Sequence, residues 1–254
     1  MPGLFEDIFK EIVDLVFPKV CPACEEKLRS NEVFICEKCN NQIGKIEGEI
    51  CKRCGKNLDE DGSQIKNVWD RFCLDCKNNN YQFDTARAVS YFESVIEVLI
   101  KKFKYNSRTE LADFFADMIS EYIFSNNLYK GTEHIVAVPL HNSRLRDRGY
   151  NQSLLIAEKV ANKCNLKLLK NNLIKIKNTK SQTALSFKER LANVKDAYWI
   201  YNPHELENIN VILIDDVFTT GATTSECART LKHSRCQQVH VITLCHATLD
   251  ATTK

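Results

Sequence analysis

The sequence predicts an α/β protein in which a cysteine-rich N-terminal unit precedes a doubly wound parallel sheet. Three observations lead there. Eight of the twelve cysteines fall into four Cys-x-x-Cys pairs between Cys21 and Cys76. From Thr85 onward, short β-branched runs alternate with amphipathic helical stretches, the pattern of βαβ units. Late in the chain the apolar run Val211–Ile214 ends in two adjacent carboxylates, Asp215 and Asp216. A turn of small hydroxylated residues and a helical stretch follow them.

Bulk properties set the frame. The chain has 254 residues, 44% hydrophobic and 27% charged, which is ordinary usage for a folded protein with a proper core. Its formal net charge of +2 excludes a strong overall attraction to nucleic acid, so such binding has to come from local patches. No apolar run reaches the roughly 18 residues of a membrane span. Glu6, Asp7 and Glu11 interrupt the first apolar stretch, which is unlike a secretory signal. The expected compartment is the cytoplasm. There, cysteines at this density mean metal or reduced thiols rather than disulfides.

Taken in order, Leu4, Phe5, Ile8, Phe9, Ile12, Val13, Leu15 and Val16 recur at helical spacing up to Pro18. The opposite face is mainly acidic, which anionic lipid repels, so this helix is expected to pack on its own protein. The pairs Cys21/Cys24, Cys36/Cys39, Cys51/Cys54 and Cys73/Cys76 come next. Each pair places two thiolates on one ion from a tight turn, and two pairs close a tetrahedral structural zinc site. Gly55 suits such a turn. Sequential pairing gives one site from the first two pairs and another from the last two. Crossed pairing and an empty second site remain open at this level. The connections are short and polar, so zinc is expected to supply folding energy. Lys77–Asn80 reads as a turn-prone boundary, dividing the chain into residues 1–80 and 81–254.

In the second part, Thr85–Phe92 reads as a strand and Val95–Tyr105 as a helix. Ile96, Leu99, Ile100 and Phe103 form its apolar face, with Lys101, Lys102 and Lys104 expected in solvent. Leu111–Phe124 and Ser153–Lys163 read as helices. Ile135–Val138, Asn172–Lys177, Val211–Ile214 and Val239–Leu244 read as strands, and a further helix runs to about Lys232. Cys164, Cys227, Cys236 and Cys245 lack metal spacing and read as small core residues. Ligands of such sheets bind at the carboxyl ends of strands, where Asp215 and Asp216 stand.

That position has its own chemistry. Thr223 followed by Glu226 reads as a capping box. The helix start and the Thr219-Thr220-Gly221-Ala222-Thr223 turn offer N–H groups, hydroxyls and a favourable dipole to a phosphate. The two carboxylates accept hydrogen bonds from sugar hydroxyls. Phosphate at one end and a polyol at the other describe a ribose 5-phosphate. The run from Val211 to Thr223 resembles the 5-phosphoribosyl-1-pyrophosphate (PRPP) motif of type I phosphoribosyltransferases. The resemblance implies that Asp215 and Asp216, the candidate catalytic pair, hold the ribose hydroxyls while Thr219, Thr220, Gly221, Ala222 and Thr223 cradle the 5-phosphate. Arg144, Arg146 and Arg148 crowd a loop after the strand Ile135–Val138 and are the candidates for pyrophosphate, since Arg forks match phosphate oxygens. Lys180, Gln182 and Arg190 sit in a polar stretch that reads equally as a lid over bound phosphates or as an exposed helix.

The chain as a whole resembles the ComF family. The resemblance is carried by the cysteine pairs after Phe17-Pro18, Lys102–Tyr105, Arg146–Gln152, Gln182 with Arg190 and Asn193, and the PRPP motif. It implies a double zinc ribbon, a type I phosphoribosyltransferase-like domain and a role in uptake of single-stranded DNA in natural competence. PRPP, Mg²⁺, structural Zn²⁺, single-stranded DNA and uptake-machinery proteins are the implied cofactors and partners. No motif names an acceptor base, and no C-terminal hood for one is evident. Three functions follow as expectations: a Mg²⁺-dependent phosphoribosyltransferase, a PRPP-responsive DNA-handling protein without turnover, and a zinc-ribbon interaction module.

Overall fold

The computed structural model describes residues 18–59, 71–179 and 187–247, with Phe187 and Lys188 as backbone only. The expected N-terminal helix and the candidate lid residues Lys180 and Gln182 lie outside the described residues. Five strands form a fully parallel sheet: β1 (Thr85–Tyr91), β2 (His134–Ala137), β3 (Lys167–Leu168), β6 (Asn210–Phe218) and β7 (Gln238–His246), in the order β1-β7-β6-β2-β3. A separate antiparallel hairpin joins β4 (Leu173–Lys175) to β5 (Tyr198–Ile200). The helices are α1 (Glu37–Asn40), α2 (Leu74–Asn78), α3 (Ser94–Tyr105), α4 (Leu111–Ser125), α5 (Asn142–Arg148), α6 (Gln152–Cys164), α7 (Phe187–Val194) and α8 (Ala222–His233).

The expected α/β sheet is present, and alternation along its central strand builds a core on each face. Ile212 and Ile214 of β6 pack with Ile242, Leu244 and the apolar faces of α3, α4 and α6. Val211 and Leu213 point the other way, toward Val239, Val241, the β4–β5 hairpin and Cys227, Ala228 and Leu231 of α8. Each core also takes in one group of cysteines. Cys21, Cys36 and Cys39 belong to the first, and Cys51, Cys54, Cys73 and Cys76 to the second. The cysteine clusters therefore pack into the sheet's two cores.

The cysteine-rich unit also covers the sheet's edge. β1 is an outer strand, and an uncovered edge offers unpaired backbone groups to other chains. Here Ala86 N–H donates to the Arg53 carbonyl at 2.6 Å, and Tyr91 N–H donates to the Gly44 carbonyl at 3.3 Å. The Arg87 guanidinium reaches the carbonyls of Lys52 and Arg53.

Four sequence expectations are corrected. The strand Val211–Ile214 continues to Phe218, because Asp215, Val217 and Phe218 pair with Thr243, Cys245 and His246 of β7. The strand expected at Asn172–Lys177 is short and sits in the antiparallel hairpin, outside the main sheet. The arginine loop is a helix, α5, started by His141, whose side chain accepts from Ser143 N–H, and ended by Gly149 at φ +84°. The capping box does not form. Gly221, at φ +72°, precedes Ala222 at the start of α8, and Glu226 instead accepts from Asp196 N–H and binds Arg229.

The two cysteine knuckles differ at one telling position. The residue after the second cysteine has positive φ in both, +67° at Glu25 and +73° at Gly55. A Cβ on Gly55 would lie 2.8 Å from the Ala86 carbonyl of β1, so the docked knuckle requires glycine. Glu25 stays exposed, where its carboxylate meets Lys102 at 2.8 Å. Gly55→Ala is expected to cost about 1–3 kcal/mol and to lower the melting temperature by several degrees. Glu25→Gly is expected to shift it by about a degree or less, since an exposed ion pair contributes little. Thermal unfolding of the zinc-loaded protein compares them, and equal shifts would remove edge docking as the cause.

Candidate functional site

Asp215 and Asp216 stand on the C-terminal half of β6, inside an open cavity of about 260 Å³. Successive strand residues face opposite ways, so two adjoining carboxylates need different partners. Ser153 Oγ donates to Asp215 Oδ1 at 3.0 Å, and Asp216 N–H donates to the same oxygen at 2.9 Å. Asp216 is 5% exposed and meets Lys104 Nζ at 2.8 Å and Gln152 Nε2 at 2.9 Å, both on Oδ2. Arg148 donates to Gln152 Oε1 at 2.6 Å and lies over the Tyr105 ring at 5.2 Å. The polar chain Arg148–Gln152–Asp216–Lys104 thus ties four elements together. α3 brings Lys104 at its C-terminal end and α6 brings Gln152 and Ser153 at its N-terminus. Asn151 caps α6, accepting from Ser153 N–H, and its amide holds the Val138 carbonyl.

Burial and the neighbouring Asp216 charge push the Asp215 carboxyl up to about 7, against the hydrogen bonds and Lys104 that pull it down. Burial opposes the Lys104 ammonium, but the charge of Asp216 outweighs it and holds the group above the ordinary lysine range.

The turn after β6 completes the cavity. Thr219, Gly221, Ala222, Thr223 and Thr224 line it, while Thr220 is buried beneath. The first-turn N–H groups of α8 lack intrahelical acceptors by the geometry of any helix, so this end suits an anion. Arg144, Arg148 and Arg190 also line the cavity. Arg144 donates to the Thr179 carbonyl at 3.1 Å. Arg146 is exposed on α5 and does not line it.

Sequence reasoning missed three lining residues. Lys104 was expected in solvent, yet it lies four residues after Ile100 and eight after Ile96, so the buried ridge of α3 carries it inward. Lys175 and Tyr198 come from the β4–β5 hairpin, which no motif marked. Burial and Arg144 pull the Lys175 ammonium down, and burial pushes the Tyr198 hydroxyl well up. In all, Lys104, Arg144, Arg148, Lys175 and Arg190 face Asp215 and Asp216, three more positive groups than negative.

The metal-ligand candidates resolve into two clusters, Cys21/Cys24/Cys36/Cys39 and Cys51/Cys54/Cys73/Cys76, with the sulfurs of each within 4.8 Å of one another. Sequential pairing is therefore the observed one. A tetrahedral zinc with thiolates at about 2.3 Å sets sulfur–sulfur edges of about 3.8 Å. Cys24–Cys36 at 3.6 Å and Cys54–Cys73 at 3.4 Å are close to that edge. Four soft donors with no open position fit structural zinc. No helix of the described residues is long and apolar enough to cross a membrane.

Residues 12–77 match the double zinc ribbon domain family. Competence protein F of Haemophilus influenzae is 26% identical over 190 residues, covering 73% of this chain and 82% of that protein. The DNA utilization protein YhgH of Escherichia coli strain K12 is 26% identical over 68% of this chain and 77% of its own. Competence protein ComFC of Bacillus subtilis is 28% identical over 63% of this chain and 65% of its own. Among solved structures, an adenine phosphoribosyltransferase from Leishmania tarentolae overlaps 57% of this chain and 74% of its own, at 13% identity and a TM-score of 0.35.

The raised Asp215 carboxyl makes stability depend on pH. Between the ordinary value of 3.8 and about 7, the folded protein holds a proton that the unfolded chain has released. Folding stability contributed by this site therefore falls as pH rises through that window and is level above it. Asp215→Asn removes the cost of the buried charge. Its melting temperature is expected to exceed that of the native protein by a few degrees at pH 8, and the gap should close toward pH 4. A gap that does not change with pH would show that Asp215 is ionised throughout.

Proposed function

The chain belongs to the ComF family, and on that premise we propose that its cavity binds PRPP with Mg²⁺ and that this binding serves DNA handling in competence. The observation that carries the reading is the cavity's composition. Two adjoining carboxylates and an excess of cations surround a helix N-terminus. PRPP places a polyol between two phosphorylated arms and needs both kinds of group. Its ribose hydroxyls go to Asp215 and Asp216, its 5-phosphate to Thr219–Thr223, and its pyrophosphate to Arg144 and Arg148. Arg146 is left outside this set because it does not line the cavity. Lys104 and Gln152 hold the Asp216 carboxylate in place before ligand arrives. Oxygen donors of the acid pair and of PRPP suit Mg²⁺, which supplies charge neutralisation at the pyrophosphate.

As an enzyme, the protein would form a bond from an acceptor nitrogen to ribose C1 while the bond from C1 to the pyrophosphate oxygen breaks. Positioning and electrostatics would do most of the work. A second reading is PRPP binding without turnover, in a protein that handles single-stranded DNA. The names of the relatives favour it, since they speak of competence and DNA and not of a base. Lys101, Lys102 and Lys104, the lysines α3 could offer to DNA phosphates, are paired with Glu97, Glu25 and Asp216. DNA contact through them would have to break those pairs.

The test incubates zinc-loaded protein with Mg²⁺, PRPP and a pool of nucleobases, then separates bound from free and analyses both by mass spectrometry. Consumption of PRPP with release of pyrophosphate establishes the transferase. PRPP retained intact establishes the binding protein. Asp216→Ala is expected to reduce retention by more than about tenfold, the scale of lost hydrogen bonds to a charged group. Native protein that neither retains nor consumes PRPP would refute the reading.

A further inference from the structure

The second cysteine cluster and the turn at the candidate site are joined by a strap of a few residues. α2 begins directly after Cys73 and ends at Asn78. Asn79 turns the chain, with its N–H and its amide both donating to the Asp75 carbonyl, at 2.9 and 2.8 Å. Tyr81 follows. It is 7% exposed, and its hydroxyl donates to the Thr220 carbonyl at 3.0 Å. Gln82 N–H donates to Ser225 Oγ at 3.0 Å, a second tie to the first turn of α8. The strap is then fixed at Asp84, which accepts from Val239 N–H at 2.8 Å and binds Lys232 Nζ at 2.9 Å.

Packing makes the contact tight. The Tyr81 and Phe83 rings stack at 5.1 Å, and Phe83 meets Phe218 edge-on at 5.9 Å. Gly221 sits at φ +72° above them, and a Cβ there would lie 2.7 Å from the Phe218 ring and 3.0 Å from the Tyr81 ring. Tyr81 thus floors the turn from below with its ring and holds one of its carbonyls with its hydroxyl. It does not itself line the cavity.

We propose that Tyr81 is a positioning residue for the phosphate-binding turn Thr219–Thr223, and that the second four-cysteine cluster supports that turn by anchoring the strap that carries Tyr81. A carbonyl held from below stays turned away from the cavity, and the N–H groups that follow it stay turned toward an anion. Binding of a phosphate then needs less reordering of the turn. The ligand part of this inference rests on the reading that the turn takes the 5-phosphate of PRPP.

The test uses the full, zinc-loaded chain and two variants, Tyr81→Phe and Ser225→Ala. Amide hydrogen exchange of the ligand-free proteins is measured first, followed by titration with PRPP and with pyrophosphate in Mg²⁺. Tyr81→Phe should speed exchange at Ala222 and Ser225, whose amides are bonded to Thr220 and Gly221 of the turn, by about fivefold, the effect of one net hydrogen bond, and leave His134–Ala137 unchanged. PRPP should bind about fivefold more weakly, while pyrophosphate, which does not use the turn, binds as before. Ser225→Ala should produce the same pattern to a smaller extent and covers the case in which Tyr81→Phe folds poorly. Unchanged exchange at the turn in both variants overturns the inference, as does equal weakening of PRPP and pyrophosphate. Native protein that binds no PRPP would remove the ligand reading alone, since the exchange measurement still decides whether Tyr81 holds the turn.

Discussion

Two carboxylates on consecutive residues at the inner end of a parallel strand are the constraint around which this structure is arranged. Left bare, a pair so placed would be severely destabilising. The surrounding elements answer it one group at a time. α3 ends where Lys104 reaches Asp216, and α6 starts where Gln152 and Ser153 reach both acids. Asn151, which caps α6, also holds the end of β2. Removing Lys104 alone would leave a buried charge with a single amide, so the ion pair sets the relative placement of α3 and β6. Such a site is costly to keep for stability alone, and that cost is the physical reason to read it as functional.

A second theme is how the cysteine-rich unit is used. A parallel sheet needs both faces covered and its edges protected. The two clusters contribute to opposite cores, and the second knuckle also closes the edge of β1. Gly55 and Glu25 occupy equivalent places in two similar knuckles, yet Gly55 faces a backbone carbonyl at close range while Glu25 is exposed. Zinc at these sites would stabilise more than the knuckles. Through α2 and the strap it would stiffen the ground on which the Thr219–Thr223 turn rests.

Much of this was legible in the sequence. Cysteine spacing announced the metal sites, apolar periodicity located most strands and helices, and the run Val211–Thr223 marked the acid pair and the turn. What escaped had physical causes. Lys104 looked like its neighbours Lys101, which is exposed, and Lys102, which is half-buried against Glu25, and only the orientation of α3 at its last turn separates them. The charges at Asp215 and Asp216 appeared to end β6, although pairing with β7 carries it four residues further. Thr223 and Glu226 had capping-box spacing, but a glycine with positive φ started the helix first. Lys175 and Tyr198 reach the cavity from a pair of three-residue strands that lie far apart in sequence, and no local pattern encodes that meeting.

The central claim is that the acid pair, the turn and the arginines form one site for one ligand. Phosphorus-31 NMR of PRPP tests it most directly, because the 5-phosphate and the two pyrophosphate phosphorus atoms resonate separately. On stoichiometric addition of zinc-loaded protein in Mg²⁺, the account predicts that all three resonances shift or broaden together. A spectrum in which none of them moves, or in which the pyrophosphate moves and the 5-phosphate does not, would contradict it.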